Sequence, residues 1–149
     1  MQTGRPEIYS PEIANRICHE IATTSKSLRT ICLPDEMPSV GTVLKWLKED
    51  KDGFLAQYEL SKQEQADYLI EEMIDIADDG SNDFMTITGK GGQDYEVENK
   101  EVTSRSRLRV DTRKWIASKL KPKKYGDKVT QEITGADGGP VQITGMQIT

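Results

Sequence analysis

The chain has little that would mark a secreted, membrane-bound or metal-organised protein. Two cysteines among 149 residues, Cys18 and Cys32, cannot build a disulfide framework and fit a reducing compartment. A single histidine, His19, leaves no paired ligand spacing for zinc. No apolar run approaches the roughly 20 residues that a membrane span needs. The first residues, Met1-Gln2-Thr3-Gly4-Arg5-Pro6, show no apolar signal core, so no export is expected. Aromatic residues make up 6% and apolar residues 35%, against 30% charged, which argues against one large core. Burial is therefore shared among modest elements, or completed by other copies of the chain.

Charge is abundant, and it is segregated. The overall −5 divides into −1 over residues 1–50, −10 over 51–104, +8 over 105–128 and −2 over the remainder. An acidic middle followed by a basic stretch suits pairing within or between chains as readily as a polyanion site.

The N-terminal third reads as three short helices. Ser10 caps the first, Pro11 suits its first position, and Ile13, Ala14, Ile17, Cys18 and Ile21 share a face. A short helix at about 26–33 turns Leu28, Ile31 and Cys32 inward. Pro34 and Pro38 bound a turn, and Ser39 caps a third helix to about Asp50. Its expected core face is Val40, Val43, Leu44 and Leu47, with Trp46 on the flank. Three helices with a turn before the last read as a helix-turn-helix, which offers the start of its final helix to the DNA major groove. Ser39, Thr42 and Lys45 occupy that segment. A plain three-helix bundle with a solvated outer face, or a protein-contact module, fits the same pattern.

A long helix is expected over roughly 53–79, with Ala66, Leu69, Ile70, Met73, Ile76 and Ala77 apolar and a row of acids opposite. The natural cover is a basic helix at about 100–120, carrying Leu108, Trp115, Ile116 and Leu120. The two make an antiparallel hairpin or an interface between subunits. Between them, Phe84–Thr88 and Tyr95–Glu98 read as strands around a glycine-rich turn. That turn, Gly89-Lys90-Gly91-Gly92, lacks the Gly-Lys-Ser/Thr ending of a phosphate loop. After Pro122, Val129–Thr134 and Val141–Thr144 read as short strands around Asp137-Gly138-Gly139. Two isolated strands are barely stable alone, but repeated around a ring they can close a barrel.

No catalytic constellation emerges. No serine or cysteine has a histidine at a recognisable triad spacing. Asp78, Asp79 and Asp83 read as a helix end running into a turn, without calcium-loop spacing. Neither catalytic residues, nor a metal, nor a cofactor is assigned.

Several stretches carry a likeness at the level of sequence. Arg105 through Trp115 (Arg-Ser-Arg-Leu-Arg-Val-Asp-Thr-Arg-Lys-Trp) continues through Ser118-Lys119-Leu120 to Pro122–Lys128, with its Lys-Tyr-Gly-Asp-Lys. With Gly4-Arg5-Pro6, Met37-Pro38, Thr42-Val43, Lys45-Trp46-Leu47 and Ile76-Ala77-Asp78, this string resembles small terminase subunits of tailed bacteriophages.

The resemblance implies a mainly α protein in three parts. An N-terminal helix-turn-helix domain spans 1–52. A central antiparallel helical hairpin for oligomerisation spans 53–126, with a hairpin-like insertion at 80–99. A C-terminal β-strand tail, 127–149, contributes to an intersubunit barrel. The implied role is a non-catalytic DNA-recognition subunit of a genome-packaging terminase. It forms a homo-oligomeric ring of about eight or more copies, binds double-stranded viral DNA, and recruits or regulates the large ATPase/nuclease subunit. Its place is the cytoplasm of the infected host, and neither the membrane nor the mature virion. Expected DNA contacts are Arg5 on a flexible arm, Lys26, Arg29, Ser39, Thr42, Lys45 and Lys48. Lys45 stands where members often carry arginine, and lysine contacts phosphate without arginine's two-pronged grip on guanine. Leu69, Ile70, Met73, Leu108 and Trp115 are expected to hold the assembly. The alternative is a helix-turn-helix transcription regulator of a phage or prophage, of two or four copies.

Overall fold

The computed structural model describes residues 4–141. Helix α1 (Pro11–Thr23) begins where Ser10 Oγ accepts the Ile13 amide at 3.5 Å, and it buries Ala14, Ile17, Cys18 and Ile21. Helix α2 (Leu28–Ile31) is a single turn, shorter than the 26–33 expected, capped by Ser27 on the Thr30 amide at 3.2 Å. The connection to α3 (Val40–Lys48) contains the expected turn, closed by the Met37 amide on Pro34 O at 3.0 Å. Met37 and Pro38 are driven into the core, so the eight residues Cys32–Ser39 are a packed segment longer than the three- or four-residue turn of the simple motif.

On α3 the core face differs from the expected one. Trp46 is 2% exposed and Leu44 53%, so the inward stripe is Val40, Val43, Trp46 and Leu47. Positions three and four apart from Val40 and Val43 compete equally in a sequence. The partner decides: the Tyr9 ring meets the indole edge-on at 5.4 Å, and its offer of aromatic contact outweighs an aliphatic one.

The chain then reverses through Asp50, Asp52 and Gly53, all at positive φ, a conformation that glycine and aspartate tolerate best. Helix α4 (Phe54–Asp78) follows, with the Asp50 carboxylate accepting the Leu55 amide at 3.2 Å. Phe54, at its first position, is fully buried against Tyr9 and Tyr58 (ring centroids 6.0 Å apart in each case) and closes the N-terminal core.

Helix α4 is a spine for both halves of the molecule. Its first half packs on α1, with Gln57 Nε2 donating to Asn15 Oδ1 at 2.7 Å. Buried Gln65 donates to the carbonyls of Thr24 and Lys26 at 3.0 and 3.1 Å, satisfying groups released where α1 ends. Its second half packs on α5 (Lys100–Leu120), which runs antiparallel and covers Ala66, Leu69 and Ile76 with Ala117.

Between α4 and α5, strands β1 (Phe84–Thr88) and β2 (Asp94–Glu98) pair antiparallel in the register Met85↔Val97 and Ile87↔Tyr95. The expected hairpin is present, and the Asn99 amide closes its base on Asp83 O at 2.7 Å. Asn99 then caps α5 through the Val102 amide at 3.5 Å. Helix α6 (Pro122–Tyr125) ends at Gly126, where any Cβ would stand 2.5 Å from Pro122 O, so only glycine fits.

The tail differs from expectation. Residues 129–134 form no strand, and Val129 and Ile133 are exposed. Extended backbone gains strand energy only from a partner, and the described residues of one chain supply none. Asp137-Gly138-Gly139 does make the expected turn, with Asp137 and Gly138 at positive φ. The second candidate strand, Val141–Thr144, lies outside the described residues beyond Val141, and so does any barrel built from it.

Candidate nucleic-acid interface

The outward face of α3 carries Gly41, Lys45 and Lys48, all exposed, with Thr42 half-buried beside them. Ser39 is the N-cap: its Oγ accepts the Thr42 amide at 3.2 Å and shares a hydrogen bond with Thr42 Oγ1 at 3.0 Å. Both hydroxyls are thus engaged at the helix start, where they order the first turn of α3. Lys45 and Lys48 have no ion-pair partner among the described residues, so two ammonium groups a turn apart face solvent.

The flexible-arm reading of Arg5 is corrected. Its guanidinium donates to Cys32 O at 2.9 Å and Leu33 O at 3.1 Å, and lies 3.9 Å from Asp35. A cation with five donors satisfies carbonyls left open at the end of α2, and this fastens the N-terminal segment to the bundle. Lys26 is held 3.0 Å from Glu20, which lies below its ordinary pKa because that hydrogen bond favours the carboxylate. Arg29 is exposed on α2 and free of ion pairs among the described residues. Of the seven expected contacts, Lys45, Lys48 and Arg29 are therefore free cations, Ser39 and Thr42 form the cap, and Arg5 and Lys26 are engaged within the chain.

The five expected assembly residues divide in the same way. Leu69 is buried between α4 and α5, and Ile70 and Met73 are half-buried there. Leu108 and Trp115 are 65% and 63% exposed on the side of α5 that faces away from α4. Lys119 Nζ lies 5.7 Å from the Trp115 ring centroid.

Two ion clusters join the helices, and no local sequence signal marks them beyond the segregation of acid and base. Glu72, drawn into the interface, accepts from Arg113 Nε at 2.7 Å and Ser25 Oγ at 3.1 Å. Burial alone would raise its pKa, and these hydrogen bonds outweigh it, leaving the carboxylate below its ordinary range. Asp67 accepts from Lys121 at 2.8 Å, Tyr125 Oη at 2.6 Å and Lys124 at 2.9 Å, tying α6 back onto α4. Those three donors, Lys121 foremost, hold Asp67 far below its ordinary 3.8. Because the folded form binds this proton more weakly than the unfolded chain, the cluster stabilises the fold above about pH 4 and loses that effect as the medium becomes more acid. The stability difference between the native chain and Asp67→Asn, read by urea unfolding, is expected at pH 6 and to shrink steadily below pH 4. Its size is modest, since the carboxylate is partly solvated.

Among the described residues no group of three or more His, Cys, Asp or Glu side chains is arranged to hold a metal ion. Asp79 instead accepts the Ser81 amide at 3.1 Å and the Ser81 hydroxyl, closing the turn after α4. Cys18 and Cys32 are buried, and burial pushes both thiols up, away from the reactive thiolate.

Residues 9–132, from the start of α1 through α6 into the tail, match the family described as bacteriophage Sf6, terminase small subunit-like. The chain belongs to this family. Solved relatives include three single-substitution variants of the terminase small subunit gp1 of bacterial virus Sf6. Each is 35% identical, with 96% of both chains covered and a TM-score of 0.66. No curated protein sequence matches. The terminase small subunit assignment agrees with the mainly helical architecture, and the family is in general a non-catalytic one. No helix of the described residues is long and apolar enough to cross a membrane.

Proposed function

We propose that this small terminase subunit recognises viral DNA through α3, acts as a ring of about eight or more copies, and delivers the bound duplex to the large ATPase/nuclease subunit in the host cytoplasm. The observation that carries the reading is the outward face of α3, with a capped helix start and, in the last turn, Lys45 and Lys48, exposed and without an ion-pair partner among the described residues. Thr42 and the cap at Ser39 place backbone amides near a phosphate, Lys45 and Lys48 neutralise phosphates, and Arg29 extends the basic surface.

One N-terminal domain has near-zero net charge, so its own grip on a polyanion is weak. Tethering many such domains raises the effective concentration for each further contact and converts weak binding into useful avidity. The large subunit supplies the chemistry, and this chain supplies position.

Light scattering on the purified protein, paired with DNA retention over a salt series, tests the reading. A mass of many copies, with retention falling as salt rises, is expected. Two or four copies would favour the transcription-regulator alternative. Salt-independent behaviour or no retention would favour a protein adaptor.

A further inference from the structure

Two features of α3 are unexplained by the N-terminal core, and they share its outward face. Leu44, spaced to join the apolar stripe, is 53% exposed, because Trp46 turns inward against Tyr9 instead. Gly41 stands three residues earlier, in ordinary helical backbone rather than at positive φ. A Cβ at Gly41 would meet nothing nearer than Ser39 Oγ at 3.8 Å, so the chain itself has room for a side chain there. Glycine is also a poor helix residue beside alanine. Neither an outward leucine nor a helical glycine helps this bundle fold.

At about 3.6 residues per turn, Gly41, Leu44, Lys45 and Lys48 fall within an arc of roughly 100°. Lys45 and Lys48 are exposed and have no ion-pair partner among the described residues. Glu49, the acid that follows them, is held by Lys51 at 3.2 Å. The face therefore joins one aliphatic side chain and a bare strip of helix to two ammonium groups. The ammonium groups suit a polyanion, and the leucine suits an apolar atom carried by it. In duplex DNA the major groove offers such an atom, the methyl group of thymine. A glycine in the first turn lets the helix settle deeper between the phosphate walls, which brings a side chain one turn further along down to the base edges.

We propose that Leu44 reads thymine methyl groups in the major groove and that Gly41 permits the close seating this contact needs. The inference rests on the DNA-binding reading above and adds to it a residue that distinguishes sequences. Lys45 and Lys48 hold the backbone and carry no sequence information, since every phosphate is alike. Leu44 carries it, because cytosine has no methyl group at the same place in the groove.

The test starts from a duplex selected by the full native chain out of a randomised pool. The selected sequence is made in two forms, one with thymine and one with deoxyuridine, which pairs identically and lacks only the methyl group. The native protein is expected to bind the thymine form at least ~4-fold more tightly, the effect of one methyl group withdrawn from water. Leu44→Ala should bind both forms equally, with copy number by light scattering and helicity by circular dichroism unchanged. Gly41→Ala should unfold at a higher urea concentration than the native chain, yet bind the thymine form at least ~5-fold more weakly, as an overpacked contact does. A glycine needed only by the fold would lose stability and binding together. Equal native affinity for the two forms, or a thymine preference that survives Leu44→Ala, would overturn the role of Leu44 while leaving salt-dependent DNA binding in place. A changed copy number in Leu44→Ala would overturn it too, by showing that another protein chain covers the residue. Undiminished binding by Gly41→Ala would overturn the close seating. Failure of the native chain to retain any duplex would remove the DNA-binding reading itself.

Discussion

Lys45→Glu is expected to lower DNA affinity by roughly 100-fold near 0.1 M salt while leaving the copy number unchanged. The arithmetic starts from one domain. Replacing a phosphate-neutralising ammonium by a carboxylate costs on the order of 1–2 kcal/mol per engaged domain, because a favourable counterion release is lost and a repulsion added. In the proposed ring several domains engage at once, so the losses multiply across them. Lys45 projects from α3, is exposed, and has no ion-pair partner among the described residues. Its replacement therefore disturbs no intrachain contact that the structure shows. Anisotropy titrations over a salt series check both parts, since the variant should also show a shallower dependence on salt. A simultaneous loss of DNA binding and native mass would mean that Lys45 holds the fold together. Unchanged affinity would remove α3 from the DNA interface.

The second large effect concerns stability. Phe54→Ala should destabilise the N-terminal bundle by about 3–5 kcal/mol, the usual range for deleting a fully buried aromatic ring. Phe54 has no exposed surface, and its ring touches those of Tyr9 and Tyr58, so deletion leaves a cavity at the junction of three segments. The surroundings cannot readily collapse into it, because α4 is held in place along its length by Gln57, Gln65 and Glu72. Urea unfolding followed by circular dichroism measures the loss. Leu60→Ala is the control: on the same helix but 57% exposed, it should change stability by less than about 1 kcal/mol. Equal costs at both positions would contradict the packing described.

These two positions illustrate how much was legible in advance. Lys45 could be read directly, because a serine cap after a proline-bounded turn sets the phase of a helix, and a charged side chain opposite the apolar stripe must face water. Phe54 could not be singled out. It follows a charged stretch with glycine at the cap position, and its burial depends on Tyr9, 45 positions earlier. Trp46 and Leu44 show the same limit on a smaller scale, as two apolar residues equally spaced from the stripe were ordered only by the ring that one of them meets. Arg5 shows it for charge. A cation beside a proline reads as a free arm until the open carbonyls of Cys32 and Leu33 are found within its reach.

From the sequence alone came the three short helices, the long acidic helix, the strand pair around its glycines and the basic helix that follows. Each is written in spacing, capping and turn residues that act over a few positions. The family likeness could be read there too, because it is carried by contiguous strings. Tertiary structure decided which apolar residue each helix buries, which charges pair within the chain, and which remain exposed. Those outcomes depend on groups tens of positions apart. A buried contact or a charge-assisted hydrogen bond is worth a kilocalorie or more only once its partner has been brought within a few ångströms.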